Sequence, residues 1–245
     1  MKLKRFLSFP ILSLFLLLGF VYYVTVFIFI EDWLGLQSSA GSLNALILSL
    51  LVSLCVFTLM VCVLSDPGRV PSGYVPDVED NQGPDQEIKK SDHHCIWINN
   101  CVGHRNYKAF LLLVFYACVA STYSAIIITS CTFQKDWDSV SSHPLKSFYV
   151  SCGFMSVFLS LILGTLLLWH IYLTTHNMTT IEYHDAKRAA WLAKKSGLSY
   201  HHPYDVGVYK NITLVLGPNM LKWMCPTAVS HVKDGLGFPT IRDNS

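Results

Sequence analysis

Apolar residues gather into four long runs, residues 6–30, 43–64, 109–131 and 148–173, and polar residues fill the segments between them. None of the runs contains Asp, Glu, Lys or Arg, and His170 is their one histidine. A helix rises about 1.5 Å per residue, so about 20 apolar residues span the hydrocarbon core of a bilayer. The pattern therefore predicts an all-α membrane protein of four transmembrane helices. A long polar loop, residues 65–108, separates the second and third, and a polar tail, residues 174–245, follows the fourth. The first run follows Lys2, Lys4 and Arg5 as a signal peptide would, but it exceeds the roughly 7 to 15 apolar residues of a signal sequence. It reads as an uncleaved span after a short N-terminus, residues 1–5.

Composition agrees with the pattern. The chain is 52% hydrophobic and 14% charged, against about 25% charged for soluble domains. A net charge of +2 over 245 residues is too small for a nucleic-acid partner. The placement of the charges says more. The N-terminus, the long loop and the tail hold 16 of the 18 basic residues, and the two remaining segments hold two. Basic residues concentrate on the cytoplasmic side, so both termini and the long loop are expected in the cytosol. The basic flanks would meet anionic lipid there. Asn177-Met178-Thr179 and Asn211-Ile212-Thr213 match the glycosylation pattern, but this topology keeps both from the lumen.

Two polar regions can host chemistry. The long loop opens with Asp66-Pro67-Gly68, a helix stop followed by a turn, and continues through the acidic stretch 77–87. It ends with SDHHCIWINNC, residues 91–101, and the pair Tyr107-Lys108, read as interfacial. Thirteen residues separate Cys95 from Ala109, which places Cys95 close to the membrane surface. The tail holds an amphipathic stretch, residues 180–196, in which Trp191 and Leu192 lie among Lys187, Arg188, Lys194 and Lys195, as suits a helix at the bilayer interface. Thr179 is a candidate N-cap, with Glu182 completing a capping box. His170 reads as an interfacial side chain, and His201 and His202 as surface residues. Beyond Gly197, short elements are expected.

Of eight cysteines, Cys55, Cys62, Cys118, Cys131 and Cys152 fall in or beside spans, where a free Cys behaves as a small hydrophobe. Only Cys95 and Cys101 share a polar loop. A reducing cytosol argues against disulfides, which leaves this pair to metal binding or catalysis. In Asp92-His93-His94-Cys95 an imidazole can take the thiol proton, and a carboxylate can orient the imidazole. His93, His94, Cys95, Cys101 and His104 are equally plausible zinc ligands by residue type. Spacing alone leaves Cys95 as either nucleophile or ligand.

SDHHCIWINNCVGHRNYKAF, residues 91–110, closely resembles the signature of the DHHC protein S-acyltransferases, or palmitoyltransferases. Asp66-Pro67-Gly68 is similar to that family's DPG element and Thr179-Thr180-Ile181-Glu182 to its TTxE element. Residues 208–212 are similar to its C-terminal segment, with Asn211 as the matching Asn. The resemblance implies a two-step reaction. Cys95 would take palmitate or a similar chain from acyl-CoA and pass it to a cysteine of a cytosolic or membrane-associated substrate protein. His93 would be the base and Asp92 its orienting partner, while His94 and Cys101 would ligate zinc. The host membrane would be Golgi, endoplasmic reticulum or plasma membrane.

The chain departs from that family at one place. Members carry a cysteine-rich segment before the signature that completes two zinc sites, whereas here no cysteine lies between Cys62 and Cys95. The segment reads as removed, by alternative splicing or by an error in the gene's exon assignment. Because structural zinc contributes directly to folding, reduced or absent activity is expected. An inactive scaffold or competitor of the full-length enzyme is the alternative. A transporter is disfavoured, since conduction paths place ionisable groups in the spans.

Overall fold

A computed structural model describes residues 8–68, 93–137 and 143–232. Lys2, Lys4, Arg5, the acidic stretch 77–87, Lys89, Lys90 and Asp92 lie outside them. The chain is mostly helical. Among the described residues, four helices are long and apolar enough to cross a membrane: α1 (Phe9–Trp33), α2 (Ser39–Leu64), α3 (Tyr107–Gln134) and α4 (His143–Thr175). At the loop-facing ends of α3 and α4 the helix runs past the apolar run, because backbone hydrogen bonding continues into the polar flank after the hydrophobic stretch ends. Pro10 occupies the first turn of α1, where its missing N–H costs nothing. Residues Val24–Ile30 within α1 are π-helical.

The shorter elements were only partly foreshadowed. Strands β1 (His93–Cys95) and β2 (Asn100–Val102) form a two-stranded antiparallel sheet, so the chain is not purely α-helical. Three-residue strands are too short to show an alternating pattern. Helix α5 (Thr180–Lys195) has the expected capping box: the Glu182 N–H donates to Thr179 Oγ1 at 3.2 Å and the Thr179 N–H to Glu182 Oε2 at 2.7 Å. Helix α6 (Val208–Leu216) lies between Gly207 and Gly217, whose φ angles of 101° and 98° favour glycine. A 3-10 turn, Met220–Lys222, follows.

The chain divides into two compact units. One combines α1, α2 up to Met60, α3 from Leu111 and α4 up to Leu168. Its core includes Phe29, Ile30, Leu48, Cys55, Tyr116 and Ile127, with the Phe29 and Tyr149 rings 4.6 Å apart. Polar ties supplement this packing. Tyr22 bonds Ser49 at 2.8 Å, Trp33 Nε1 donates to Gln134 Oε1 at 3.0 Å, and Lys135 pairs with Asp32.

The other unit combines the end of α2, the hairpin, the start of α3 through Phe110, the end of α4 from Trp169, and the tail. Here α2 stops at Leu64, and Asp66-Pro67-Gly68 forms the expected turn: the Gly68 N–H donates to Asp66 Oδ1 at 3.0 Å, with Gly68 at φ 100°. Lys108 departs from its interfacial reading. It is 2% exposed, and its ammonium donates to the carbonyls of Leu216, Lys222 and Ala228 at 2.9, 2.9 and 3.0 Å. An ammonium has three protons to give, so the start of α3 holds three turns of the tail around one charge.

Candidate active site

The signature residues form a hairpin whose geometry follows from its asparagines. Four residues connect the strands, and the last, Asn99, has φ 46°, a left-handed conformation that Asn tolerates better than most residues. Asn100 turns back to the end of α2. Its Nδ2 donates to the Cys62 carbonyl at 2.9 Å and the Ser65 carbonyl at 2.8 Å, two groups that a helix end leaves without intrahelical partners. Asn106, 1% exposed, closes the segment after β2: Oδ1 accepts from the Gly103 N–H at 2.8 Å, and Nδ2 donates to the Cys101 carbonyl at 2.9 Å. Gly103 packs so tightly on Pro67 that an added Cβ would lie 2.5 Å from its carbonyl oxygen.

This frame presents Cys95 at the end of β1, half-buried and reduced. Burial alone would push its thiol up. Hydrogen bonds from His93 and from the backbone N–H groups of Ile98 and Trp97, with the charge of His93, outweigh that effect and hold it below the ordinary thiol value. The hairpin thus brings together a nucleophilic sulfur and an imidazole two residues away. Adjacent side chains of an extended strand alternate between faces, which puts His93 and Cys95 on one face and His94 on the other.

His94 faces Cys101 across the strands. Its Nδ1 lies 3.5 Å from Cys101 Sγ. Zinc bonds of about 2.3 Å to sulfur and 2.0–2.1 Å to nitrogen, at a tetrahedral angle, set such a pair about 3.6 Å apart. His94 and Cys101 therefore fit one edge of a zinc tetrahedron. Among the described residues no group of three His, Cys, Asp or Glu side chains converges to hold a metal, so His104 does not join them. Burial, followed by the nearby His231, holds the His104 imidazole below its usual range. The residues described here supply an edge and not a four-ligand site.

The comparisons with known proteins decide the family. A family model described as DHHC palmitoyltransferase matches residues 85–187. Probable protein S-acyltransferase 15 of Arabidopsis thaliana is 55% identical, over 93% of this chain and 100% of its own length. The chain belongs to the DHHC palmitoyltransferase family. Probable protein S-acyltransferase 16 of the same plant is 43% identical over 97% of this chain and 94% of itself. Human Palmitoyltransferase ZDHHC15 is 35% identical over 62% of this chain and 43% of itself. The first of these alignments runs over 254 positions while covering 93% of 245 residues, so the Arabidopsis protein has positions with no counterpart here.

Within this DHHC chain the other singled-out residues take defined places. Asn211, a candidate only through resemblance, is fully buried. Its Nδ2 donates to the Thr175 carbonyl and to Asp205 Oδ1, both at 2.7 Å, and its Oδ1 accepts from the Val206 N–H at 3.2 Å. It ties the end of α4 to the tail. His201 is exposed, whereas His202 is half-buried with both ring nitrogens screened from solvent, against its surface reading.

His170 also departs from its reading. It is 3% exposed rather than interfacial. Its Nδ1 meets the Tyr107 hydroxyl at 3.1 Å, and its ring stands edge-on to Phe110 at 4.9 Å and 6.4 Å from His93. Phe110 in turn stands edge-on to His93 at 5.7 Å. Tyr107 and Phe110 were missed as part of this cluster. The one signal in the sequence was a histidine inside an apolar run.

Proposed function

We propose that this chain is a protein S-acyltransferase that forms a thioester on Cys95 from a long-chain acyl-CoA, palmitoyl-CoA foremost, and transfers the chain to substrate-protein cysteines. The observation that carries the reading is the Cys95 sulfur, hydrogen-bonded by His93 and two backbone N–H groups of the hairpin turn. Only the thiolate is a competent nucleophile, and such surroundings favour it.

His93 takes the Cys95 proton, and the thiolate attacks the acyl-CoA carbonyl. The new carbon–sulfur bond forms as the bond to the CoA sulfur breaks, and the proton returns from His93 to the departing thiol. In the second step a substrate cysteine gives its proton to His93 and attacks the acyl group. Cys95 leaves as thiolate and recovers the proton. One thioester replaces another, so little free energy is required. Burial of the chain at about 0.8 kcal/mol per CH2 favours acceptance by a membrane-embedded enzyme. Asp92 orients His93. The excess of basic residues in the N-terminus, long loop and tail supports a cytosolic Cys95, and the host membrane is read as Golgi, endoplasmic reticulum or plasma membrane. There α5, with Trp191 and Leu192 exposed, rests at the interface.

The test is a hydroxylamine-sensitive acyl label taken up from palmitoyl-CoA by the purified chain and lost in Cys95→Ser. A second reading, an inactive scaffold that competes with a full-length enzyme, draws on the incomplete zinc edge of His94 and Cys101. It wins if wild type takes up no label yet binds the enzyme's substrate proteins. Zinc quantified by mass spectrometry separates the structural premises, because two bound ions per chain contradict a missing ligand block.

A further inference from the structure

We propose that His170 is a positioning residue that holds the His93 imidazole, through Phe110, where it reaches Cys95. The inference rests on the reading of Cys95 and His93 as the reacting pair, and adds a residue from a distant helix.

Among Asp, Glu, Lys, Arg and His, His170 is the one residue in its apolar run, and such a group at this place is costly unless it has a use and a partner. Here it is 3% exposed and has a partner in the Tyr107 hydroxyl at 3.1 Å. That bond fixes the ring's rotation. Two imidazoles then lie edge-on against one aromatic ring: His170 at 4.9 Å and His93 at 5.7 Å from the centre of Phe110. Phe110 is itself 5% exposed, so it cannot swing aside without displacing its neighbours. Edge-on aromatic pairs prefer a defined geometry, and the two contacts transmit the orientation of His170 to His93. A leucine in the same volume would fill space but would form no hydrogen bond with Tyr107. The stretch Tyr107–Phe110 thus serves as the bridge between α4 and the hairpin.

The test uses the alkylation rate of Cys95 by iodoacetamide in the purified full chain in detergent, read on the Cys95 peptide by mass spectrometry. This measurement needs no acyl transfer. A wild type that takes up no acyl label defeats the proposed activity without touching this inference. His170→Ala should slow Cys95 alkylation about tenfold, since misplacement by about 1 Å can cost up to a hundredfold. His170→Asn, which retains a polar atom near the Nδ1 position, should recover most of that rate. The deciding arm is the double variant. If His170 acts through His93, then in a His93→Ala background the further change His170→Ala should slow Cys95 by less than twofold. Cys225, on the tail, should alkylate at its wild-type rate throughout. The inference is overturned if His170→Ala leaves Cys95 unaffected, if its effect persists in full in the His93→Ala background, or if Cys225 changes in parallel, which would mark general loosening.

Discussion

Replacement of Lys108 by Met should release the tail while leaving the spans folded. The two side chains are of similar length, so the change removes the donors without leaving a large void. Three bonds from the ammonium are lost, to Leu216, Lys222 and Ala228. Hydrogen bonds to charged groups contribute about 1.5–3 kcal/mol each. Against that loss stands the cost of burying an ammonium, several kcal/mol in real proteins, which the methionine avoids. The freed carbonyls are only partly buried and can turn to water. A net destabilisation of the tail of about 3 kcal/mol follows from these opposing terms. At 1.4 kcal/mol per factor of ten, amides of the 208–232 segment should exchange with deuterium about a hundredfold faster, while α3 interior amides keep their rate. Lys108→Arg should not rescue, because a planar guanidinium presents its donors in one plane and cannot satisfy three carbonyls gathered around a point. If the tail amides of Lys108→Met exchange within threefold of wild type, the ammonium does not hold the tail and the reasoning fails.

Four further outcomes are expected. Gly103→Ala places a Cβ 2.5 Å from the Pro67 carbonyl oxygen and should cost about 1–3 kcal/mol through backbone displacement, read as a lower unfolding temperature in detergent. Asn100→Ala strands the carbonyls of Cys62 and Ser65, at about 1–3 kcal/mol, and should raise protease cutting within the hairpin. Cys95 should alkylate at lower pH than an ordinary thiol, because burial, which raises its pKa, is outweighed by His93 and the turn N–H groups. His93→Ala removes a stabiliser of the thiolate, so the inflection of alkylation rate against pH should move upward; an unchanged profile contradicts the assignment. Asn211→Gln displaces the amide from the Thr175 carbonyl and from Asp205 and should loosen the tail, measured by proteolysis after α5.

The signals legible along the chain were local. Apolar run length marked the four spans, and residues of restricted backbone preference marked their ends: Asp66-Pro67-Gly68 after α2, and Thr179 with Glu182 at the start of α5. These signals act between neighbours along the chain, so their positions are their meaning. The reactive cluster around Cys95 was legible by residue type, and the family by its ordered motifs. Tertiary structure decided how those side chains are used. Whether His94 meets Cys101 depends on a hairpin register that three-residue strands are too short to announce. Lys108 looked like a headgroup anchor until its carbonyl partners, more than a hundred residues away, came into view. His170 and Tyr107 are 63 residues apart, and Asn211 and Thr175 are 36 apart. A lysine, a histidine or an asparagine carries no mark in its own neighbourhood of a partner brought to it by folding. Its role is set by which groups close around it once water has been excluded.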